Sequence, residues 1–259
     1  RAANHVSALT RYILRRMWKF LTALFALVLS GCATQIGMRN TADQRLTMFS
    51  QIVFSPDYDS RRTENLAKWA HRLRVTLRDR DTYFVENYRG TIKSQLESIT
   101  KLTGLTTKIV SENANANVTI FFDTLTGIKE YASTYARQKS APANIETTGC
   151  HSEVDRNGQH EIQAARVFIR AERKIAGMLS TANNAINEAN AANKLRVERC
   201  IALEMIRILG LRNASDIITP SIFNSTRNID KTTVLDLKFI RTLYEPRLKA
   251  GMPRKTALQ

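Results

Sequence analysis

The stretch LEMIRILGL, residues 203–211, predicts the helix around which the rest of the fold is arranged. Apolar residues recur at the spacing of one helix face here and just upstream: Val197, Ile201, Ile208 and Leu211. Gly210 stands where a helix of this kind is expected to stop. Glu204 is the only acid in the nine residues, so one carboxylate is predicted to lie beside the hydrophobic core.

The rest of the chain mixes strand and helix signals. Segments with alternating or β-rich composition predict strands at residues 73–77, 108–110, 118–122 and 165–171. Helical spacing of apolar residues predicts helices at residues 91–102, closed by Gly104, and at residues 232–244. Residues 124–163 and 212–226 are expected to be looser, and residues 176–193 to form a partly exposed helix or an inserted loop. The pattern predicts an α+β domain with a small mixed sheet.

The chain is strongly basic. It carries 39 Lys and Arg against 23 Asp and Glu, a net charge of +16. Five of the basic residues precede Cys32, so the 34 that remain against 23 acids leave +11 from that cysteine onward. A surface of this charge favours anionic partners such as nucleic acid, anionic lipid or an acidic polymer, and does not choose among them. Because the charges are scattered, an ordinary solvated surface is the favoured explanation.

The N-terminal region is typical of an export signal. Residues 17–19 open a short positive segment, and residues 20–29 (FLTALFALVL) are apolar. Ten apolar residues are too few to span a bilayer as a helix, which needs about 20, but they suit the core of a secretory signal. The ending LSGC, residues 29–32, resembles the lipobox of bacterial lipoproteins, which implies that Cys32 is acylated and becomes the first residue of the mature protein.

This interpretation sets the expected boundaries. Residues 1–16 contain no Met and are interpreted as upstream translated sequence, residues 17–31 as the signal peptide, and residues 32–50 as a tether. One domain is expected at residues 51–252, because 259 residues suit a single buried core, followed by a tail at residues 253–259. Ala33 after the cysteine resembles the outer-membrane sorting pattern, so we expect a lipid-anchored protein of a Gram-negative envelope that faces the periplasm.

The two other cysteines have two interpretations. Cys150 and Cys200 form an even pair in an exported domain, where a disulfide would close a loop of about 50 residues and stabilise the fold by roughly 4 kcal/mol. Two separate buried thiols are the alternative. A zinc site is less favoured, because His151 and His160 do not supply a CxxC or HxxxH spacing.

Several phrases of the sequence, in order, resemble a bacterial family called domain of unknown function 2927. They run from Trp69 to Met252: RLRVTL, LTGL, ANVTIFF, RCIALEMIRILGL, SDIITPSIFN and LYEPRLKAGM. The family typically carries two adjacent acids on the cysteine-bearing helix. Leu203 stands in place of the first, and only Glu204 remains.

A more distant resemblance is to the zincin metalloproteases. Glu204 followed by Leu209–Gly210–Leu211 resembles the framing of HExxH, in which two histidines one turn apart bind Zn²⁺ and the glutamate acts as general base. SIF at residues 221–223 and DLKFIRTLY at residues 236–244 resemble the turn below the metal and the closing helix. The resemblance implies a zincin-like single domain without metal, since Leu203 and Arg207 replace the histidines.

Two roles for Glu204 follow. It is either a carboxylate paired with Arg207 or Arg199 on its own helix, or a remnant general base in a groove that includes Arg207, Asp216, Ser221 and Asn224. The first role predicts a non-catalytic domain that binds a peptide or an envelope protein, and the second an atypical, metal-independent hydrolase of envelope peptide or glycan. We favour the first, expect no cofactor, and do not expect nucleic-acid binding because the protein is predicted to be exported.

Overall fold

The computed structural model describes residues 41–54, 64–112, 114–136, 145–173, 183–227 and 229–259. The predictions for the signal peptide, the start at Met17 and the acylation of Cys32 lie outside these residues. The chain divides into a unit Arg1–Gln44, of which residues 41–44 are described, and a unit Arg45–Gln259 that holds the sheet. No helix in the described ranges combines the length and the apolar character that crossing a membrane requires.

Five strands form one sheet. They are β1 (Leu73–Arg78), β2 (Thr107–Ile109), β3 (Val118–Asp123), β4 (Cys150–Arg156) and β5 (Ile162–Arg170). Their order across the sheet is β2-β1-β3-β5-β4, and every neighbouring pair is parallel except β4 with β5. The domain is therefore mixed α/β with a mostly parallel sheet, which corrects the expected α+β class.

Helices cover both faces of the sheet. They are α1 (Ala42–Phe54), α2 (Tyr83–Thr103), α3 (Leu125–Tyr135), α4 (Ile145–Thr148), α5 (Asn183–Arg207), α6 (Val234–Leu243) and α7 (Arg254–Ala257). Side chains along β3 alternate between the two faces of the sheet, and each face has its own core. Ile120 and Phe122 belong to a large cluster with α1, α2, α5 and α6. Phe121 belongs to a small cluster with α3 on the other face. Parallel strands need such crossover helices, and α2 supplies one between β1 and β2.

The predicted central helix is confirmed and is longer than its apolar pattern suggested. Its last turns are buried on most sides, with Ile201 and Met205 fully covered. The helix ends at Arg207, and the turn that follows contains Gly210 with a φ of 116°. A helix end that is apolar on most sides belongs inside a domain, which is where the structure places it.

Two side chains donate hydrogen bonds to the buried carbonyls that follow α5. The indole Nε1 of Trp69 donates to the Ile208 carbonyl at 2.7 Å, and the Tyr244 hydroxyl donates to the Leu209 carbonyl at 3.0 Å. Burial raises the pKa of Tyr244 well above its usual value, so the phenol stays protonated and remains a donor. The carbonyls that a helix end leaves without partners are satisfied in this way.

The folded part of the chain is larger than predicted at both ends. α1 begins at Ala42 and buries Met48 and Phe49, so the helix starts inside the segment that was expected to be a tether up to residue 50. The expected tail also belongs to the fold, because the Arg254 amide donates to the Glu64 carbonyl at 2.8 Å and Ala257 is buried.

The region predicted to be loose, residues 124–163, is structured where the chain is described. It contains α3, α4, β4 and the first residues of β5. Thr124 accepts a hydrogen bond from the Gly127 amide and so begins α3. Residues 183–193, expected to be a partly exposed helix or a loop, are the first turns of α5 and are mostly exposed where their side chains are described.

Candidate functional site

Glu204 lies at the contact between α5 and the edge strand β4. Its carboxylate is fully buried. One oxygen accepts a hydrogen bond from the Ser152 hydroxyl at 2.6 Å, and the other accepts one from the Arg207 guanidinium at 2.7 Å. The carboxylate thus has a hydrogen-bond partner on each oxygen, which is the arrangement a buried charge requires.

This geometry selects between the two roles expected for Glu204. Arg207, at i+3, is the partner, whereas Arg199 donates to the Ile229 carbonyl at 3.1 Å. A general base must reach the proton that it abstracts, but the Glu204 carboxylate has no exposed surface and its oxygens are engaged by Ser152 and Arg207. The arrangement is that of a structural ion pair.

The disulfide between Cys150 and Cys200 is formed in the structure, with Cα atoms 5.8 Å apart. It joins the same two elements as the hydrogen bond from Ser152 to Glu204. Residues two apart on a strand share a face, and residues four apart on a helix lie one above the other. The two links therefore run side by side and fix β4 against α5, one covalently and one through a hydrogen bond.

His151 lies between these links in sequence but contacts another acid. Its Nε2 atom is 3.8 Å from Glu153 Oε1. Burial lowers the pKa of His151, and the negative charges of Glu204 and Glu153 oppose this shift only in part. The imidazole is therefore favoured in its neutral form. His160, the other histidine considered for zinc, is bonded to the Asn65 amide instead.

The predicted groove residues of the loop after α5 are used to hold that loop. The Ser221 hydroxyl donates to Asp236 Oδ1 at 2.5 Å, and both residues are fully buried. Asn224 donates to the carbonyls of Asp216 and Ile218 at 3.0 and 2.9 Å. Asp216 itself is exposed. Of the predicted set, the structure brings Arg207 to Glu204 and places the other three in loop contacts.

Asp236 was not predicted as a site residue, although the sequence contains its signal. Its carboxylate accepts hydrogen bonds from the Thr233 and Ile222 amides, and Thr233 in turn begins α6 in a capping box. A threonine three residues before an acid is the usual mark of this motif. Asp236 therefore anchors the loop to the start of α6.

The outer edge of β4 carries backbone groups that point away from β5. The Arg170 amide donates to the Gly149 carbonyl, which fixes which residues of β4 bond to β5. By alternation, the amides and carbonyls of Ser152 and Val154 face the free edge, and no described residue pairs with them. The two residues themselves are 6% and 4% exposed.

The positions that hold metal ligands in the HExxH pattern are occupied by other side chains. Leu203 offers no ligand atom, and the guanidinium of Arg207 is bonded to Glu204. Within the described ranges, no three His, Cys, Asp or Glu side chains are grouped so that they could hold a metal ion.

Comparison with known families gives one match. The model of a family described as "Protein of unknown function (DUF2927)" matches residues 42–182 and 178–259. The match begins at the first residue of α1 and extends to the last residue of the chain. No curated protein matches the sequence.

Proposed function

The chain belongs to the DUF2927 family, and we propose that it is a lipoprotein of the cell envelope whose domain binds an extended peptide segment of an envelope partner. The domain is non-catalytic in this proposal. The observation that carries it is the free edge of β4, which the disulfide and the Ser152–Glu204 hydrogen bond hold rigidly against α5. Edge strands are the usual place where an extended peptide adds to a sheet.

A zincin-like ancestry for this domain is part of the proposal. Three features support it: a mixed sheet, an antiparallel edge strand beside the helix that carries Glu204, and the turn at Gly210 after that helix. Burial of Glu204 against Arg207 supports the loss of catalysis, because the guanidinium now neutralises the carboxylate that would otherwise act as the base. The hydrolase alternative would need a solvent-accessible Glu204.

Membrane attachment through Cys32 completes the proposal, with the domain in the periplasm on the outer membrane. It rests on the apolar segment at residues 20–29 and the LSGC ending. Several acyl chains anchor a protein far more firmly than one, since each buried methylene contributes about 0.8 kcal/mol.

Substitution of the acylated cysteine tests the anchor. The variant Cys32→Ala is expected to move from the membrane fraction to the soluble periplasmic fraction when expressed in a Gram-negative host. Cys150→Ala serves as a control, because it breaks the disulfide to Cys200 without changing residues 29–32, and it should leave the protein in the membrane fraction. A wild-type protein that is already soluble would disprove the lipoprotein assignment.

Proline substitution on β4 tests the peptide site. A peptide selected from a random phage-displayed library on the wild-type protein is expected to bind the Val154→Pro variant at least about tenfold more weakly, measured by fluorescence anisotropy. Proline removes the outward amide of residue 154 and leaves the bonds to β5 intact. The matched control Val154→Ala loses a similar amount of core packing but keeps that amide, and it should retain binding.

Two outcomes would contradict the proposal. The first is equal affinity of the wild type and a folded Val154→Pro variant, with folding checked by circular dichroism. The second is cleavage of the bound peptide by the wild type and not by Glu204→Gln, which would establish the hydrolase instead. Mass spectrometry of the peptide after incubation separates these cases.

A further inference from the structure

A cavity of about 300 Å³ opens between α2 and α5, away from the edge of β4. One wall comes from the first turns of α2, and the other from the segment after β5 and the middle of α5. Its described lining includes Tyr83, Asn87, Tyr88, Glu172, Lys194 and Glu198. This volume is at the lower end of the range for small-molecule sites, which combine aromatic surface with a few polar groups.

The cavity lies where α/β sheets ordinarily bind ligands. α2 follows the carboxyl end of β1, and Glu172 follows the carboxyl end of β5. In the sheet, β2 lies on one side of β1 and β3 lies on the other. The chain therefore continues from β1 in one direction to β2 and then returns to the opposite side for β3, so the strand order reverses between β1 and β3. Ligands of open α/β sheets bind outside the carboxyl ends of the strands at such a reversal.

Tyr88 supplies a polar group inside the cavity. The residue is 8% exposed, and its ring stacks on Phe122 at 5.8 Å with an angle of 12° between the planes. Its hydroxyl donates no hydrogen bond to any described residue, although the residue lines the cavity. A tyrosine hydroxyl that faces a cavity is available to bond to a polar group of a ligand. A ligand that fills the cavity would provide one.

The charges around the cavity indicate a neutral ligand. Glu172 is bonded to Arg170 at 2.8 Å, and Glu198 lies 3.8 Å from Lys194. The guanidinium of Arg173 already lies over the Tyr83 ring, 5.2 Å from its centre. A cationic ligand would meet Lys194, the basic side chain that lines the cavity, and an anionic ligand would meet the Glu172 and Glu198 carboxylates.

We propose that this cavity binds a sugar ring. A neutral sugar presents an apolar C–H face to the tyrosine rings and hydroxyl groups to the Tyr88 phenol and the carboxylates, which matches the lining. None of the described lining residues belongs to β4, so this site goes beyond the proposed peptide site and does not depend on it.

Calorimetric titration of the full-length protein in detergent tests the proposal. The probes are glucose, N-acetylglucosamine and the trisaccharide of N-acetylglucosamine, and at least one is expected to bind saturably. Tyr88→Phe removes only the hydroxyl and should weaken that binding about tenfold, the effect of one lost hydrogen bond. The control Tyr131→Phe, on α3 at the other face of the sheet, should bind as the wild type does.

Three results would overturn the proposal. They are the absence of saturable binding for all three sugars, equal affinity of Tyr88→Phe and the wild type, and tighter binding of spermidine than of any sugar. The last would show that the cavity selects cations. Failure of the peptide experiment leaves these results unaffected, because Val154 and Tyr88 belong to different sites.

Discussion

Gly210→Ala is expected to lower the free energy of unfolding by about 4 kcal/mol. A φ of 116° is strained for any residue with a Cβ atom, which costs about 1–3 kcal/mol. The added Cβ would also lie far inside van der Waals contact with the Ala67 carbonyl oxygen, and 3.3 Å from the Leu243 side chain. Forcing these packed groups apart costs roughly another 1–3 kcal/mol.

The surroundings of Gly210 leave little room for relaxation. Trp69 and Tyr244 bond to the two carbonyls just before Gly210, so the turn is fixed from both sides.

Urea unfolding of the Gly210→Ala variant and of a control variant measures the effect on stability. Gly90→Ala is the matched control, because Gly90 lies on the exposed side of α2 with no atom near its added Cβ, and it should stabilise by about 0.5–1 kcal/mol. A loss below about 1 kcal/mol for Gly210→Ala would contradict the close packing of this turn against Ala67.

The elements that could be predicted from the sequence are those in which the apolar residues of the pattern are the residues that the structure buries. β3 is buried on both faces and is a continuous run of mostly apolar residues, VTIFF, and the last turns of α5 are mostly apolar and buried. Gly104 ends α2 with a positive φ of 73°, as its position predicted. In these segments local propensity and tertiary burial agree, so the sequence alone is sufficient.

β4 could not be predicted because its inward residues are Cys150, Ser152 and Val154, which is not an apolar pattern. The cysteine is buried by its disulfide and the serine by its hydrogen bond to Glu204. Both partners lie about 50 residues away in sequence. A strand whose burial depends on distant partners gives no local signal.

The cavity between α2 and α5 likewise could not be predicted from the sequence. Its walls come from residues near 83–88, from Glu172 and from residues 190–198, which only the sheet topology brings together. The parallel order of the strands was not predicted, so the reversal between β1 and β3 could not be located. For Glu204, by contrast, the pairing with Arg207 needed only helix geometry, and the sequence offered Arg207 as one of two partners.

Glu204→Ala is expected to lower the free energy of unfolding by about 3–5 kcal/mol. Removal of one partner of a buried ion pair leaves the other charge without compensation. Here the Arg207 side chain is 12% exposed and would lose its carboxylate, and the Ser152 hydroxyl would lose its acceptor. Glu188→Ala, an exposed acid on the same helix, is the control and should change stability by less than about 0.5 kcal/mol.

A double-mutant cycle separates the ion pair from simple loss of packing. If the pair is structural, Glu204→Leu combined with Arg207→Met should be much more stable than the sum of the two single variants predicts, because no charge remains buried. Chemical unfolding of the four proteins gives the coupling energy, expected at about 2 kcal/mol or more. A coupling near zero would mean that Glu204 and Arg207 act independently, and it would contradict the structural ion pair.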